Sequence, residues 1–153
     1  MSHAARQHTI VAEVPMADFF RTITDYAAYP AISDEVRTAK VLSRDGNTSV
    51  VAFTSKIMLK SFDYTLRMVE HPERHGMSWT LVNSSVLTEN RGGWSLEALS
   101  KNETRITYEV ELGARVWVPS SFINSLSGLV LPKVMRRFAE YTVQQRRPQV
   151  WVA

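Results

Sequence analysis

Residues 94–112, WSLEALSKNETRITYEVEL, spell two strands and the turn between them. In the first strand Trp94, Leu96 and Ala98 fall on one side. In the second, Ile106, Tyr108, Val110 and Leu112 take one face and Thr107, Glu109 and Glu111 the other. The intervening SKNE is turn-forming. Strands that are apolar on one face and polar on the other belong to an antiparallel sheet with one solvated side.

The same period continues upstream. FDYTLRMV (62–69) puts Phe62, Tyr64, Leu66 and Met68 on one face, and MSWTLVN (77–83) does so with Met77, Trp79 and Leu81; HPERHG turns between them. Residues 36–57 hold Asp45-Gly46-Asn47 between two β-rich flanks, a hairpin signal. QHTIVAEV (7–14) reads as a first strand, Pro15 suits a first helical turn, and Phe19, Phe20, Ile23 and Tyr26 follow at helical spacing. DYAAYPAISDEV then predicts a turn with a short second helix. Residues 119–147 predict one long helix with Pro119 near its start. The expected order is strand, helix, helix, six strands, helix: an α+β fold in which a curved antiparallel sheet of about seven strands wraps one long C-terminal helix. Only that helix is large enough to cover the apolar sheet face, and a curved sheet gripping one helix leaves space between them.

The chain has 153 residues, 44% hydrophobic and 22% charged, which suits a single domain over 1–153 with a core near 6–147. The net charge of +3 is mild and does not by itself point to nucleic acid. There is no cysteine, hence no disulfide, thiolate nucleophile or Cys-ligated metal. The N-terminal sequence lacks a signal-peptide apolar run, and no stretch approaches the roughly 20 apolar residues of a membrane span. The expectation is a cytoplasmic protein.

The element order, with DYAAYP after the first helix, RGGWSLEAL followed by TRITYEVEL, and a last helix opened by Pro119, resembles the START-like (SRPBCC) superfamily with its helix-grip fold. The branch it most resembles is the polyketide cyclase/dehydrase and coenzyme Q-binding group, over about residues 6–147. The resemblance implies a cavity between sheet and helix. That superfamily includes lipid carriers, quinone-binding proteins, aromatic polyketide cyclases and a ribosome-binding toxin, and fold does not choose among them.

Few residues carry chemistry. His71 and His75 have the spacing of a helical metal pair, but Pro72 and Gly76 place them in a turn, and no third ligand is evident. No clustered ligand set is expected, so no metal and no cofactor. Gly92-Gly93 inside a strand pattern predicts a β-bulge or a close approach of the helix. Asp18, Asp25 and Asp34 read as caps and solvated turns. No His, Asp or Glu faces inward on any strand by parity, so no catalytic residue is assigned; Tyr64 and Tyr108 are the available acids. Lys133, Arg136, Arg137, Arg146 and Arg147 form a basic helix face, read as solvated or as drawn to an anionic membrane surface or RNA.

The inward aromatic and methionine side chains are the stronger signal. Phe62, Tyr64, Trp79, Trp94 and Tyr108, with Met68 and Met77, share the apolar parity of their strands and predict the cavity wall. By parity Asn83, Thr88 and Asn90 face inward as orienting polar groups. On the helix, Ile123, Ser127, Val130, Val134, Phe138 and Tyr141 make one stripe, expected to face the sheet. Gly128 lies four residues before Pro132, where the proline ring meets the carbonyl of the earlier residue. Glycine can tilt that carbonyl aside, so the pair predicts a bend over the cavity mouth that acts as a gate.

The expected function is binding or transport of an apolar small molecule, a lipid, polyprenyl quinone or polycyclic aromatic, between sheet and helix. Peripheral membrane contact accompanies that reading. The alternatives are a polyketide aromatase/cyclase and, third, a ribosome- or RNA-interacting protein that uses the basic helix. Oligomeric state is not indicated.

Overall fold

The computed structural model describes residues 2–57, 59–115 and 131–146. The chain runs β1 (Ser2–Ala12), α1 (Met16–Thr24), a 3-10 turn (Tyr26–Ala28), α2 (Tyr29–Ile32), β2 (Val36–Asp45), β3 (Thr48–Ile57), β4 (Lys60–His71), a second 3-10 turn (Pro72–Arg74), β5 (Gly76–Ser84), β6 (Leu87–Ser100), β7 (Glu103–Ala114) and α3 (Leu131–Arg146). The seven strands form one antiparallel sheet in the order β1-β7-β6-β5-β4-β3-β2. This is the expected helix-grip arrangement: six strands in meander, with β1 returning beside β7.

Local chemistry sets the element ends. Pro15 is the N-cap of α1, and the Asp18 and Phe19 amides donate to its carbonyl. Gly46 has φ of 60° in the two-residue β2–β3 turn, a value that glycine adopts without a Cβ clash. The first strand begins earlier than the alternation shows and ends at Ala12, because β1 pairs with β7 from Ser2 to Ala12.

Phe19 and Ile23 of α1 and Tyr29 of α2 are buried with Trp94, Met77 and Ile106 of the sheet. α3 closes this core through Leu131, Met135, Phe138 and Thr142, all buried. Phe138 packs on Tyr29 and Trp94 at ring-centroid distances of 5.0 and 5.2 Å. The hydroxyls of Thr142 and Thr22 meet at 2.7 Å and tie α3 to α1. The helix is therefore turned in part from the expected face: Phe138 is buried and Val134, half-buried, still borders the space under the sheet as expected, but Tyr141 lies at the flank, half-buried. Ile123, Ser127, Gly128 and Val130, and with them the expected bend and the first part of the long helix, lie outside the described residues. Pro132 is the second residue of α3 and half-buried.

Candidate functional site

Between the sheet and α3 lies a cavity of about 150 Å3. Phe62, Tyr64 and Met68 of β4 line it, with Trp79 of β5, Trp94 of β6 and Tyr108 of β7. Asn90 lines it as well. The period-2 alternation brings these together because all share the concave face. Met77 is 1% exposed and belongs to the core beneath, not to the wall. From elsewhere come Tyr29, Phe53, Leu131, Val134 and Phe138. The rings touch in a chain: Phe53 stacks on Tyr64 at 5.4 Å, and Tyr108 contacts both Trp79 at 5.4 Å and Trp94 at 4.6 Å.

Two of the expected polar wall groups point elsewhere. Leu66 pairs with Leu81, but the next pair is Thr65 with Asn83, so Val82 is a bulge residue. Thr65 is on the outer face, and Asn83 lies there with it, exposed. Likewise Leu87 pairs with Ala114 and Glu89 with Gly113, which leaves Thr88 extra and exposed. One extra residue reverses the parity of everything beyond it. Asn90 lies on the near side of that bulge and remains inward.

The cavity's polar groups are held by short bonds. The Trp79 indole donates to Asn90 Oδ1 at 2.9 Å. The Ser55 and Tyr64 hydroxyls lie 2.6 Å apart. Tyr29 donates to the Ile23 carbonyl. Burial pushes the Tyr29, Tyr64 and Tyr108 hydroxyls above the usual phenol range, and the Ser55 bond partly offsets this at Tyr64. All three are proton donors at neutral pH.

Sequence parity missed two groups. Glu35, in the loop before β2, lines the cavity and accepts a bond from Ser33 at 2.9 Å. Loop residues have no parity to count, so no signal marked it. His8 pairs directly with Tyr108 and shares its inward face, against the expectation of no inward histidine. It is half-buried and is not part of the described cavity wall. The β1–β7 register was needed to find it.

Gly92 and Gly93 serve close approach, but of strands. A methyl group at Gly92 would run into the Glu109 carbonyl and the Trp79 ring, and one at Gly93 would lie 2.9 Å from the Met77 carbonyl. Neither the helix nor a bulge is involved at this pair.

On the outer face, a larger hollow of about 540 Å3 is lined by charges of both signs, among them Arg6, Arg91, Glu109 and Glu111. The smaller inner cavity is the better candidate, because its apolar walls can desolvate a ligand. His71 is the last residue of β4 and pairs with Gly76, while His75 follows the 3-10 turn, so only His75 lies in the expected turn and neither is on an α-helix. His71 is 3.0 Å from the Ser78 hydroxyl, and His75 packs edge-on against Phe20. A different histidine has a cluster the sequence did not reveal: His3 with Glu89 and Glu111, each offering a ligand atom within 4.8 Å of the others. Arg91 pairs with both carboxylates there, at 3.0 Å each, so the group is compensated on the surface. The basic face of α3 is also partly used. Lys133 and Arg137 reach Asp34 at 3.5 and 3.2 Å, and Arg137 Nε donates to the Ile32 carbonyl. Among the described residues, no helix is long and apolar enough to cross a membrane.

Residues 12–139 match the model of a family described as polyketide cyclase / dehydrase and lipid transport. No curated protein matches the sequence. Among solved structures, the Zhui aromatase/cyclase from Streptomyces sp. R1128 superposes with a TM-score of 0.82 at 14% identity, covering 99% of this chain and 100% of that one. A START superfamily protein from Mycobacterium smegmatis gives 0.81 at 16% identity, covering 94% and 99%. Ginseng major latex-like protein 151 from Panax ginseng gives 0.71 at 12%, covering 92% and 98%. At these identities the likeness is one of fold.

Proposed function

The chain belongs to the polyketide cyclase / dehydrase and lipid transport family, and on that premise we propose that it binds a flat, largely aromatic small molecule in the cavity between sheet and α3. The observation that carries this reading is the wall itself: contacting rings from β3, β4, β5, β6, β7 and α3 around one space. Binding is driven by desolvation. Each 100 Å2 of apolar ligand surface removed from water contributes roughly 2.5 kcal/mol. Micromolar affinity, about 8 kcal/mol, therefore needs roughly 330 Å2 before the costs of association, about the surface of two or three fused rings.

The test uses the tryptophans. With Trp117 and Trp151 replaced by Phe, only Trp79 and Trp94 remain, and both line the cavity. Titration with a naphthalene- or anthracene-type compound should change their emission saturably. Binding seen by calorimetry with no change in that emission would place the ligand elsewhere.

A second reading, an aromatase/cyclase, is favoured by Glu35, Tyr64 and Tyr108 at one cavity. Protonated phenols would polarise a carbonyl and a carboxylate would take a proton. Cyclisation of a poly-β-ketone supplied to the purified protein, lost in Glu35→Gln, would establish it; product formation at the uncatalysed rate would exclude it.

A further inference from the structure

The β5–β6 ladder stops short of its hairpin turn. The two strands pair only from Met77–Trp94 to Trp79–Gly92, yet β5 runs on to Ser84 and β6 starts at Leu87. Beyond Trp79 and Gly92, β5 stays paired with β4 and β6 with β7. Each stretch carries one extra residue, Val82 and Thr88, and such bulges bend a strand out of line. The backbone groups that Thr80–Ser84 and Leu87–Arg91 turn toward each other therefore have no ladder partner. At the turn, the Val86 and Leu87 amides are held by the Ser84 hydroxyl, at 3.2 and 3.0 Å. The sheet is parted here along a slot, roughly 16 Å long at the rise of a strand. On its inner side stand Trp79 and Asn90, which line the cavity. On its outer side Trp79, Thr80 and Arg91 line the hollow of about 540 Å3. Trp79 borders both spaces. Its indole reaches from β5 to Asn90 on β6, at 2.9 Å, and bars the closed end of the slot.

We propose that the ligand enters and leaves the cavity through this slot, edge-on, from the outer hollow. This rests on the reading of the cavity as the binding site. Separating two paired strands breaks the bonds of their ladder. Between Thr80–Ser84 and Leu87–Arg91 there are none to break. A molecule of fused rings is thin in one direction, which is the shape that a slot between strands admits. Val82, 45% exposed, gives it an apolar surface to meet there. The seam along α3 is better closed. Lys133 and Arg137 reach Asp34, Phe138 is wedged between Tyr29 and Trp94, and Thr142 bonds Thr22. Lifting α3 would break these contacts and bring its buried row into water.

The experiment ties the slot shut in the full chain, which has no cysteine of its own. Val82→Cys/Thr88→Cys places two exposed thiols on its two sides, to be joined by o-phenylene bismaleimide. Thr80→Cys/Arg91→Cys, also exposed and next after the last ladder pair, is a second position for the link. Asp34→Cys/Lys133→Cys, linked in the same way, ties the helix seam instead. Mass spectrometry confirms each link, and the same variant capped with N-ethylmaleimide is its reference. Exchange of 2-methoxynaphthalene is followed by stopped-flow tryptophan emission. A link across the slot should slow association and dissociation together by about tenfold or more, at unchanged affinity, because closing a route alters rates and not the equilibrium. The helix link should slow them less. Unchanged rates in the slot-linked proteins, or slowing by the helix link as large, overturns the proposal and leaves the cavity reading standing. Slower association with affinity lost in proportion also overturns it, since that reports a damaged site and not a closed route. Failure of the probe to bind the wild type and the capped proteins overturns both readings together.

Discussion

A methyl group at Gly92 tests whether the sheet's tight passage beneath Trp79 builds the cavity wall. The added carbon would meet the Glu109 carbonyl, lie 2.7 Å from Cζ2 of Trp79 and 3.0 Å from Cα of Val110. Carbon–carbon contacts are optimal near 3.5–4.0 Å. The β7 backbone cannot retreat, because Gly92 pairs with Val110 inside a continuous ladder. Trp79 must move, and its bond to Asn90 goes with it. Overpacking costs about 1–3 kcal/mol and the lost bond about 0.5–1.5. Restriction of the unfolded chain returns about 0.4–1. Gly92→Ala should therefore lose about 0.5–4 kcal/mol, centred on about 2, in urea unfolding at unchanged m. Gly113→Ala is the comparator. Its methyl group would lie 2.7 Å from Thr88 Oγ1 and 3.3 Å from Glu89 Cβ, side-chain atoms of the bulge rather than a ring and a carbonyl of the ladder, so it should cost less. Gly92→Ala within about 0.5 kcal/mol of wild type, or Gly113→Ala falling as far, would refute the reasoning.

Two further outcomes follow from the same packing. Phe138→Ala removes a buried ring that touches Tyr29 and Trp94; stability should fall by about 3–5 kcal/mol, while calorimetry shows relative affinity shifting toward compounds with one more ring. Burial is the chief cause that holds the Tyr26, Tyr29, Tyr64 and Tyr108 phenols above their ordinary range in the folded state. The folded state then holds protons that the unfolded state loses. The contribution of these four tyrosines should be fully present below pH about 10 and be lost as pH rises beyond it. In Tyr141→Phe, which leaves only these four of the five tyrosines, phenolate absorbance should appear together with unfolding; tyrosinate forming in the still-folded variant at the ordinary pKa would contradict this.

The sheet was legible because nearly every strand buries one face, and a buried face writes period 2 into the sequence. Its limits are equally physical. Counting outward from Trp79 and Trp94, parity holds until a bulge intervenes, at Val82 on β5 and at Thr88 on β6. Both bulges lie where the β5–β6 hairpin turns, close to where β4 meets Ser84 and β7 meets Leu87. A sheet that must curve around a helix takes up curvature through such extra residues, and they need no particular composition: Val82 and Thr88 are ordinary strand residues. Hence Asn83 and Thr88 were lost from the wall while Asn90, two residues inside the bulge, was kept. The face of α3 was legible only in part. Its apolar residues form two adjacent stripes, and only contact with α1 and Trp94 selects Leu131, Met135, Phe138 and Thr142 as the buried row, with Val134 at the cavity edge and Tyr141 at the flank. Glu35 and His8 became visible only through pairing: one through Ser33 and the cavity, the other through the β1–β7 register. Periodicity reports which face is dry, whereas the polar chemistry of the site depends on where two strands slip by one residue.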